Sequence, residues 1–532
     1  MLSKAEKSEE RKRLNKVWKQ KTRALGSSSA LSDDALAPID PNARHTLYYK
    51  KQLSPCFTVD KEEEWSTFQR YLASPMPVTF RPGHNCPRWI CEYLYHIMTN
   101  DDSGFSFKTM KGHYIEVNGN VIRDNIVSTV PWLTQSEIPA ISNNIGIETG
   151  TSVYQLAKNI DSIELSRNTG LQTLSNYLIR EVSLGHIVRQ EVASMIPAAL
   201  LQVKPHHIVL DVCAAPGSKT EQLLQAMEYH AVNQAATANG SGGGGGIPII
   251  SGAVVANDAD TKRVQILKDR YRNAHSPNLL IINSRAEDLH IKITKYKRRT
   301  IRDLYKLKQQ QKQQPIPTVW QCVDAIGMGQ FDRILADVPC SGDGTVRKFP
   351  HIWRLFRPRN ALDLHNIQLQ IAKSSILMLK PGGRMVYSTC SLNPIENEAV
   401  VCGLLRYFNR SNGDNDDNDD NDNGEGVDLY QTQYGVTQAT RNYSLRLVNT
   451  RSEQIDESSG SHIPMLLPSL YSRPGLNTWL TDKDIFVNKD ISDKDNESYE
   501  KSLEMLPIIQ KSMLPPNSNE KKWMYLERCH RV

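Results

Sequence analysis

The sequence predicts an α/β fold in which helices cover both faces of a parallel β-sheet. From residue 206 onward, short apolar segments alternate with amphipathic ones: HHIVLDV precedes KTEQLLQAM, and GAVVANDAD precedes TKRVQILKDRYRN. NLLIIN, FDRILADVP and GRMVYSTCS are further predicted strands, and LDLHNIQLQIAKSSILMLK and NPIENEAVVCGLLRYF are further helices. Near-continuous apolar strands that alternate with helices are typical of sheets buried on both faces. Ligands of such folds bind beyond the carboxyl ends of the strands.

The 532 residues divide into four predicted regions. Residues 1–45 form a basic, then Ser- and Ala-rich tail that we expect to be disordered. Its lysines and arginines are equally consistent with a nuclear-localisation signal or RNA contact and with a merely solvated tail. Residues 46–200 mix aromatic and apolar segments, and predict a smaller α+β domain, dominated by helices, that binds RNA.

The predicted core occupies residues 201–405 and carries two inserts, at 231–246 and 291–330. Both inserts have low complexity, the first Gly-rich and the second basic and Gln-rich, and both predict surface loops. The basic insert fits an RNA contact less well than a solvated loop. Residues 406–532 hold an acidic low-complexity tract and a C-terminal region.

Composition limits the classes of function. Apolar stretches fall well short of the ~20 residues that a membrane span needs, and the N-terminus lacks the apolar region of a secretory signal. Nine cysteines without CxxC pairs indicate reduced thiols in the cytosol or nucleus. His84, Cys86 and Cys91 are too few for a zinc site, so no metal is expected. The net charge of +6, despite the acidic tract, favours a polyanionic partner.

The segment CAAPGSKT lies at a predicted strand-to-helix turn and indicates a cofactor loop. A Walker A loop requires Gly-Lys in sequence, whereas serine separates Gly217 from Lys219 here. A dinucleotide loop requires three glycines, and this loop has one. S-adenosylmethionine fits better, because Ala214, Ala215 and Gly217 would let backbone amides approach its methionine moiety. Asp258 is placed to bind the ribose hydroxyls, to cap the next helix, or both.

Two cysteines close predicted strands, Cys340 in ILADVPCSGDGT and Cys390 in GRMVYSTCSLNP. We therefore expect two thiols at the same edge of the sheet. A thiolate that adds to C6 of a cytosine would make C5 nucleophilic toward a sulfonium methyl, and the second thiol would assist. Asp337, with a pKa raised by burial, is placed to protonate the ring, and Lys219 to lower a thiol pKa or orient Asp337. These residues alone do not decide which cysteine attacks.

Three motifs carry a family resemblance. VLDVCAAPGSKT, ADVPCSGDGT and VYSTCSLNPIENEAVV closely resemble motifs of the Sun/Fmu-type RNA cytosine-5 methyltransferases. GHIVRQEVASMIPAALLQVKPHH, RKFPHIWR and LERCHRV narrow the likeness to the eukaryotic multisite-specific tRNA cytosine-5 methyltransferases, over most of residues 46–405. The resemblance implies a Rossmann-like class I methyltransferase core, S-adenosylmethionine as cofactor, and tRNA or another RNA as partner. We further expect a monomer in the nucleus, with the nucleolus and cytoplasm as additional locations.

The resemblance also implies roles for single residues. Cys390, in the Thr-Cys motif, attacks, and Cys340, in the Pro-Cys motif, assists release of the adduct. Asp337 and Lys219 complete the catalytic set. The implied cofactor-binding residues are Cys213, Ala214, Ala215, Pro216, Gly217, Ser218, Lys219, Asp258 and Asp337.

Two departures from the family pattern qualify the resemblance. The family usually has Asn-His-Asp-Ala after the third strand, where this chain has Arg285 in place of the aspartate. Because arginine cannot accept a hydrogen bond from the adenine amine, Glu287 or Asp288 must substitute, or cofactor affinity falls. The family continues into a Gly-Gly-Phe-Phe strand, so we expect the final core strand to be missing. tRNA methylation is the first interpretation; rRNA methylation and a non-catalytic RNA-binding scaffold are the alternatives.

Overall fold

A computed structural model provides the fold of the predicted core and of parts of the remaining chain. The described residues are 44–57, 60–83, 86, 90, 105–108, 114–117, 126–129, 153–156, 162–167, 172–237, 249–272, 276–289, 291–297, 318–324, 329–409, 445, 447, 454–455, 462–463, 473–474, 476 and 530–531. Most of the predicted tail and the acidic tract lie outside them.

The N-terminal region combines helices with a small antiparallel sheet. Its elements are α1 (Arg44–Gln52), α2 (Lys61–Ala73), β1 (Thr79–Pro82), β2 (Phe105–Lys108), β3 (Tyr114–Val117), β4 (Ile126–Thr129), β5 (Tyr154–Leu156), α3 (Ser162–Arg167), α4 (Gln172–Ser183), β6 (Ile187–Arg189) and α5 (Val192–Leu200). Four strands form a sheet in the order β4-β5-β1-β6, and β2 pairs with β3 separately. The α+β character is as predicted, but the sheet itself is a feature that the sequence did not indicate.

The predicted core contains a five-stranded parallel sheet. Its elements are β7 (Ile208–Asp211), α6 (Ser218–Thr237), β8 (Ala253–Asn257), α7 (Thr261–Tyr271), β9 (Leu279–Ile282), β10 (Ile291–Lys297), β11 (Thr318–Asp324), β12 (Phe331–Asp337), α8 (Ile352–Leu355), α9 (Arg359–Met378), β13 (Leu379–Ser388) and α10 (Glu398–Asn409). The strand order is β13-β12-β7-β8-β9, and every neighbouring pair is parallel. The predicted α/β class is confirmed.

Successive residues of the strands face opposite layers of helices. Val209 packs in a buried cluster with side chains of α6 and α7, whereas Leu210 packs in a second cluster with side chains of α9 and α10. Val254 and Val255 divide between the same two clusters. This alternation follows from the two-residue period of a strand, and it explains why these strands are apolar at every position.

Both predicted surface loops contain regular structure. Helix α6 continues to Thr237, so the first residues of the 231–246 insert are helical and not part of a loop. Alanine-rich sequence favours this continuation, and Ala231 is buried. The 291–330 insert begins with β10, which pairs antiparallel with β11, so its two ends form a β-ribbon. Helix α10 likewise runs to Asn409, past the predicted boundary at residue 405.

Helix α1 packs against the core although it lies far away in sequence. Tyr48, Tyr49 and Trp65 share a buried cluster with Phe356 and Ile395. Within the described residues, the five-stranded sheet ends at β13 on one side and β9 on the other. None of the helices described is long and apolar enough to cross a membrane.

Candidate active site

The carboxyl ends of four neighbouring strands carry the predicted site residues. Asp211 ends β7, Asp258 directly follows β8, and Asp337 ends β12. Cys340 and Cys390 lie in the loops that follow β12 and β13. In the order β13-β12-β7-β8, the cysteines therefore lie at one end of the row and the cofactor loop lies at the other.

The two cysteine thiols are in direct contact. The Sγ atoms of Cys340 and Cys390 are 3.1 Å apart, and the Cys390 backbone N–H donates to Cys340 Sγ at 3.3 Å. The hydrogen bond from Cys340 lowers the pKa of the Cys390 thiol. The same contact, together with burial, raises the pKa of the Cys340 thiol well above its usual range. Cys390 is thus the thiol that ionises, and it is also the more exposed of the two.

Asp343 ties the Pro-Cys loop to the Thr-Cys loop and to helix α1. Its carboxylate accepts a hydrogen bond from the Leu392 N–H at 2.7 Å and another from the Tyr49 hydroxyl. Burial, reinforced by the nearby charge of Glu396, raises the pKa of Asp343 to about 6. The sequence did not indicate this residue, because Tyr49 is separated from it by almost 300 positions in the chain.

The Lys219–Asp337 pair joins the cofactor loop to the cysteine loops. Lys219 Nζ lies 2.7 Å from one oxygen of Asp337, and the Ser388 hydroxyl donates to the other at 2.7 Å. This contact is the one that the predicted role of Lys219 in orienting Asp337 requires. The predicted burial of Asp337 is wrong: its side chain is 30% exposed and contacts a cation.

The cofactor loop has a backbone shape that requires glycine. Gly217 has φ +102°, and a Cβ there would lie 2.7 Å from a methyl group of Leu267. The Tyr271 hydroxyl donates to the Gly217 carbonyl at 2.8 Å and holds the loop against α7. Burial raises the pKa of Cys213 above its usual range, so this thiol stays protonated and serves packing.

Three amides of the loop have partners inside the fold. The N–H groups of Ala214, Ala215 and Gly217 donate to the Asn257 carbonyl, the Asp258 carboxylate and the Ala214 carbonyl. These three N–H groups are therefore engaged within the fold, and the approach of the loop to the methionine moiety stays a prediction. Helix α6 begins at Ser218, directly after the loop, and the N–H groups of a first helical turn favour a carboxylate.

Asp258 is buried and bonded on both oxygens. One oxygen accepts from the Asp260 N–H at 3.0 Å; the other accepts from the Ala215 N–H at 3.2 Å and lies 3.3 Å from Arg263. The alternative that Asp258 caps the next helix is wrong, because Asp260 is the cap and accepts from the N–H groups of Lys262 and Arg263. Asp258 thus holds the cofactor loop against β8.

Comparisons with known proteins show what the chain is similar to. Residues 249–438 match the family described as 16S rRNA methyltransferase RsmB/F. A multisite-specific tRNA:(cytosine-C(5))-methyltransferase of Schizosaccharomyces pombe is 35% identical over 69% of this chain and 46% of its own length. A Saccharomyces cerevisiae enzyme with the same description is 32% identical over 69% of this chain and 43% of its own. Residues 249–438 of this chain are therefore similar to the RsmB/F methyltransferase family.

The match covers this chain more fully than it covers its relatives. A tRNA (cytosine(34)-C(5))-methyltransferase of Drosophila melanogaster is 33% identical over 69% of this chain and 40% of its own length. The chain therefore spans about half the length of the curated relatives that it matches, or somewhat less. The RsmB/F match includes α7, both cysteine loops and the Arg285 departure.

Asp211 lies at the same edge of the sheet, and the sequence analysis assigned it no role. It is buried at the end of β7, and the Thr220 hydroxyl donates to its carboxylate at 2.7 Å. Burial raises its pKa to about 7, with Asp337 and Asp258 contributing in the same direction. A cationic ligand nearby would favour its ionised form.

Arg285, the departure from the family pattern, engages both acids that were expected to replace the missing aspartate. Its guanidinium forms ion pairs with Glu287 and, at 3.3 Å, with Asp288. Glu287 is largely buried, whereas Arg285 is 69% exposed. The expected substitution by Glu287 or Asp288 stays a prediction. Among the described residues, no group of three or more His, Cys, Asp or Glu side chains could hold a metal ion.

The chemistry of this donor set fits S-adenosylmethionine. Three carboxyl groups, those of Asp211, Asp258 and Asp337, lie at neighbouring strand ends, where their charge would favour a cofactor that carries an ammonium and a sulfonium. The first turn of α6 offers N–H groups for its carboxylate. A phosphate-bearing cofactor would instead meet three acids, which would repel it.

Proposed function

We propose that this protein transfers a methyl group from S-adenosylmethionine to C5 of a cytosine in tRNA. The thiol pair carries the proposal: an exposed cysteine lies in hydrogen-bond contact with a second thiol at 3.1 Å, at the edge of the sheet where ligands of such folds bind. A thiolate is needed because cytosine C5 is a poor nucleophile until a nucleophile adds at C6. The kinship with tRNA cytosine-C(5)-methyltransferases supports the proposal.

Cys390 acts as the nucleophile. Its Sγ adds to C6 of the target base, and the resulting electron density at C5 attacks an electrophilic methyl group, which S-adenosylmethionine supplies when bound. Ionisation of Cys390 before the attack costs less than ionisation of an isolated thiol, because the contact with Cys340 lowers its pKa. The same pKa difference makes the reverse assignment unfavourable.

Cys340 assists the second half of the reaction. After methyl transfer, solvent water at the exposed Cys390 takes the C5 proton, the C6–S bond breaks, and the Cys390 thiolate is restored. Cys340 lies in contact with the departing sulfur and re-forms its hydrogen bond to that thiolate. Restored stabilisation of the leaving thiolate favours release of the methylated RNA.

Lys219 and Asp337 act on the base. Asp337 accepts hydrogen bonds from the Ser388 hydroxyl and from the Lys219 ammonium, so the proton that N3 of cytosine takes up would come from that ammonium, relayed by the Asp337 carboxylate. Lys219 and Asp337 would therefore together protonate the ring, a role that was predicted for Asp337. The first turn of α6, and the loop that Asp258 holds in place, would bind the cofactor.

The target base must leave its stack to reach Cys390. A thiolate adds to C6 from above or below the plane of the ring, and the neighbouring bases of a helix cover both of these faces. Enzymes that modify bases commonly extrude them, and the cost is smaller in unpaired RNA. Cytosines in tRNA loops and junctions should therefore react faster than those in stable helices.

A methyl-transfer assay on defined RNAs tests the proposal. The full chain is incubated with methyl-labelled S-adenosylmethionine and with tRNA, a small-subunit rRNA fragment or a cytosine-free RNA of equal length. Label in tRNA alone supports the proposal. Label in the rRNA fragment alone supports the alternative that the family description favours. RNA binding without label in any RNA supports the scaffold.

Denaturing gels separate the roles of the two thiols. Cys390→Ala should form no covalent RNA adduct and transfer no methyl group, because no other group replaces the attacking thiolate. Cys340→Ala should accumulate the adduct and release it slowly. An adduct with Cys390→Ala but none with Cys340→Ala would reverse the assignment.

A further inference from the structure

Glu396 is a fully buried carboxylate that the proposed reaction does not use. It lies in the turn before α10, six residues beyond Cys390 in the chain. No sequence motif assigned it a role. Its surroundings, however, include both cysteine loops.

Four hydrogen-bond donors converge on the two carboxylate oxygens. One oxygen accepts from the Ser341 N–H at 2.8 Å and from the Gln368 side-chain amide at 3.0 Å. The other accepts from the Ser341 and Ser391 hydroxyls, each at 2.5 Å. This set of donors matches the four acceptor sites of an ionised carboxylate.

The two serines occupy equivalent places in their loops. Ser341 directly follows Cys340, and Ser391 directly follows Cys390. We propose that Glu396 is a positioning residue that fixes the distance between the two thiols by holding the residue after each cysteine. The inference rests on the proposed function for its catalytic meaning.

The physical argument is one of constraint. Each serine is one peptide unit from its cysteine, so a bond that immobilises the serine also limits the position of the cysteine Cα. A thiol–thiol hydrogen bond at 3.1 Å tolerates little displacement, and the two loops come from different strands. Gln368 of α9 also donates to the Pro339 carbonyl, which anchors the Pro-Cys loop from its other side.

Burial makes this connection strong. Glu396 is inaccessible to solvent, so water cannot replace a lost serine contact. Hydrogen bonds to charged groups are stronger than neutral ones, and a buried network with all members paired holds one geometry. A fold that needed only an anchored turn would not require contacts to both cysteine loops.

The test measures the reactivity of Cys390 and does not require turnover. Iodoacetamide alkylation of the full chain is followed against pH, and the Cys390 and Cys340 peptides are quantified by mass spectrometry. Besides Cys340, the charged groups that act on Cys390 are Asp337, Asp343 and Lys219, and all remain in every variant. The same preparations are assayed for kcat and KM on tRNA.

Glu396→Ala and Glu396→Gln form the informative pair. The alanine variant should move the midpoint of Cys390 alkylation up toward about 8.5, the value of an ordinary thiol. Its kcat should fall by about 100-fold, the typical effect of misplacing a reacting group by 1 Å. The glutamine variant should keep the wild-type midpoint, because its amide can donate to both hydroxyls while its oxygen accepts from the two N–H groups.

Glu398→Ala is the matched control. Glu398 is also buried and follows two positions later, and its carboxylate accepts a hydrogen bond from the Leu476 N–H, which belongs to neither cysteine loop. The Glu398→Ala variant should have a lower melting temperature and an unchanged midpoint of Cys390 alkylation. If Glu396→Ala does not fold, the Ser341→Ala/Ser391→Ala double variant removes both hydroxyl contacts and should move the midpoint in the same direction.

Two results would overturn the inference. The first is an unchanged Cys390 midpoint in Glu396→Ala, or in the double variant, with a melting temperature lowered as in Glu398→Ala; Glu396 would then serve folding alone. The second is a glutamine variant as impaired as the alanine variant. If the wild-type protein lacks methyl transfer but the variants show the expected shifts of the Cys390 alkylation midpoint, the proposed function is refuted and the positioning role remains.

Discussion

Replacing Asp211 by Asn should stabilise the protein at neutral and alkaline pH and have no effect in acid. The buried carboxyl has its pKa raised from 3.8 to about 7, mainly by desolvation. Below about pH 4 the group is protonated in both the folded and the unfolded chain, so it causes no penalty. Between pH 4 and 7 only the unfolded chain ionises, so folding loses free energy as pH rises.

The expected change in the free energy of unfolding follows from the difference of about three units between the pKa of Asp211 in the folded and in the unfolded chain. At about 1.4 kcal/mol per unit, ionised Asp211 destabilises the fold by roughly 4 kcal/mol above pH 7. Asparagine keeps the shape and still accepts the 2.7 Å hydrogen bond from Thr220. The variant should therefore gain stability progressively from pH 4 to 7, and the gain should then level off.

Urea unfolding of the two proteins without cofactor, at pH steps from 5 to 8.5, measures the gain. Asp332→Asn is a control of opposite sign, because the Ile208 N–H and Lys380, at 2.8 and 2.9 Å, lower the pKa of Asp332 against its desolvation. That variant should be destabilised at neutral pH, and its deficit should shrink in acid. A difference between Asp211→Asn and wild type that is independent of pH would refute the reasoning.

Three further predictions concern the site. Asp258→Ala should weaken S-adenosylmethionine binding by about 1–3 kcal/mol in calorimetry, because the Ala215 N–H loses its partner and the loop shifts; unchanged affinity would remove Asp258 from the site. Gly217→Ala should also weaken cofactor binding, because the φ of +102° and the 2.7 Å distance from a Cβ to Leu267 both oppose a side chain there. Gly329→Ala is the control: a Cβ at Gly329 would meet no atom within 4 Å, and cofactor binding should not change. Tyr49→Phe should lower the melting temperature and slow methyl transfer by loosening Asp343, and equal rates would separate α1 from catalysis.

The sequence predicted the core well because each strand had a clear pattern. Apolar runs such as IVLD and AVVAN have no polar face, so they required helices on both sides, and the structure has them. The short strands of the N-terminal sheet gave no such signal. Three or four residues are too few for a period to be visible, and β1 pairs with β6 across about 100 positions of chain.

The site was predictable where its residues sit in motifs, and hidden where contacts span the chain. Cys340, Cys390 and Lys219 lie in short recognisable segments, and the structure brings the thiols together. Glu396 looks like any other acid near a helix start until Ser341, 55 positions away, is seen to bond to it. The helix cap was misassigned because NDADTK offers two aspartates, and only the fold shows which one is buried.

The Lys219–Asp337–Ser388 chain has a thermodynamic consequence. One carboxylate is bonded on one oxygen to the helix of the cofactor loop and on the other to the strand that leads to the nucleophile. Occupation of either side changes the restraint on the other, so the affinities for cofactor and RNA should be coupled. Such coupling is reciprocal: the factor by which the cofactor product changes RNA affinity must equal the factor by which RNA changes affinity for that product. Neither binding constant is then a property of the protein alone, and each has meaning only with the state of the other site specified.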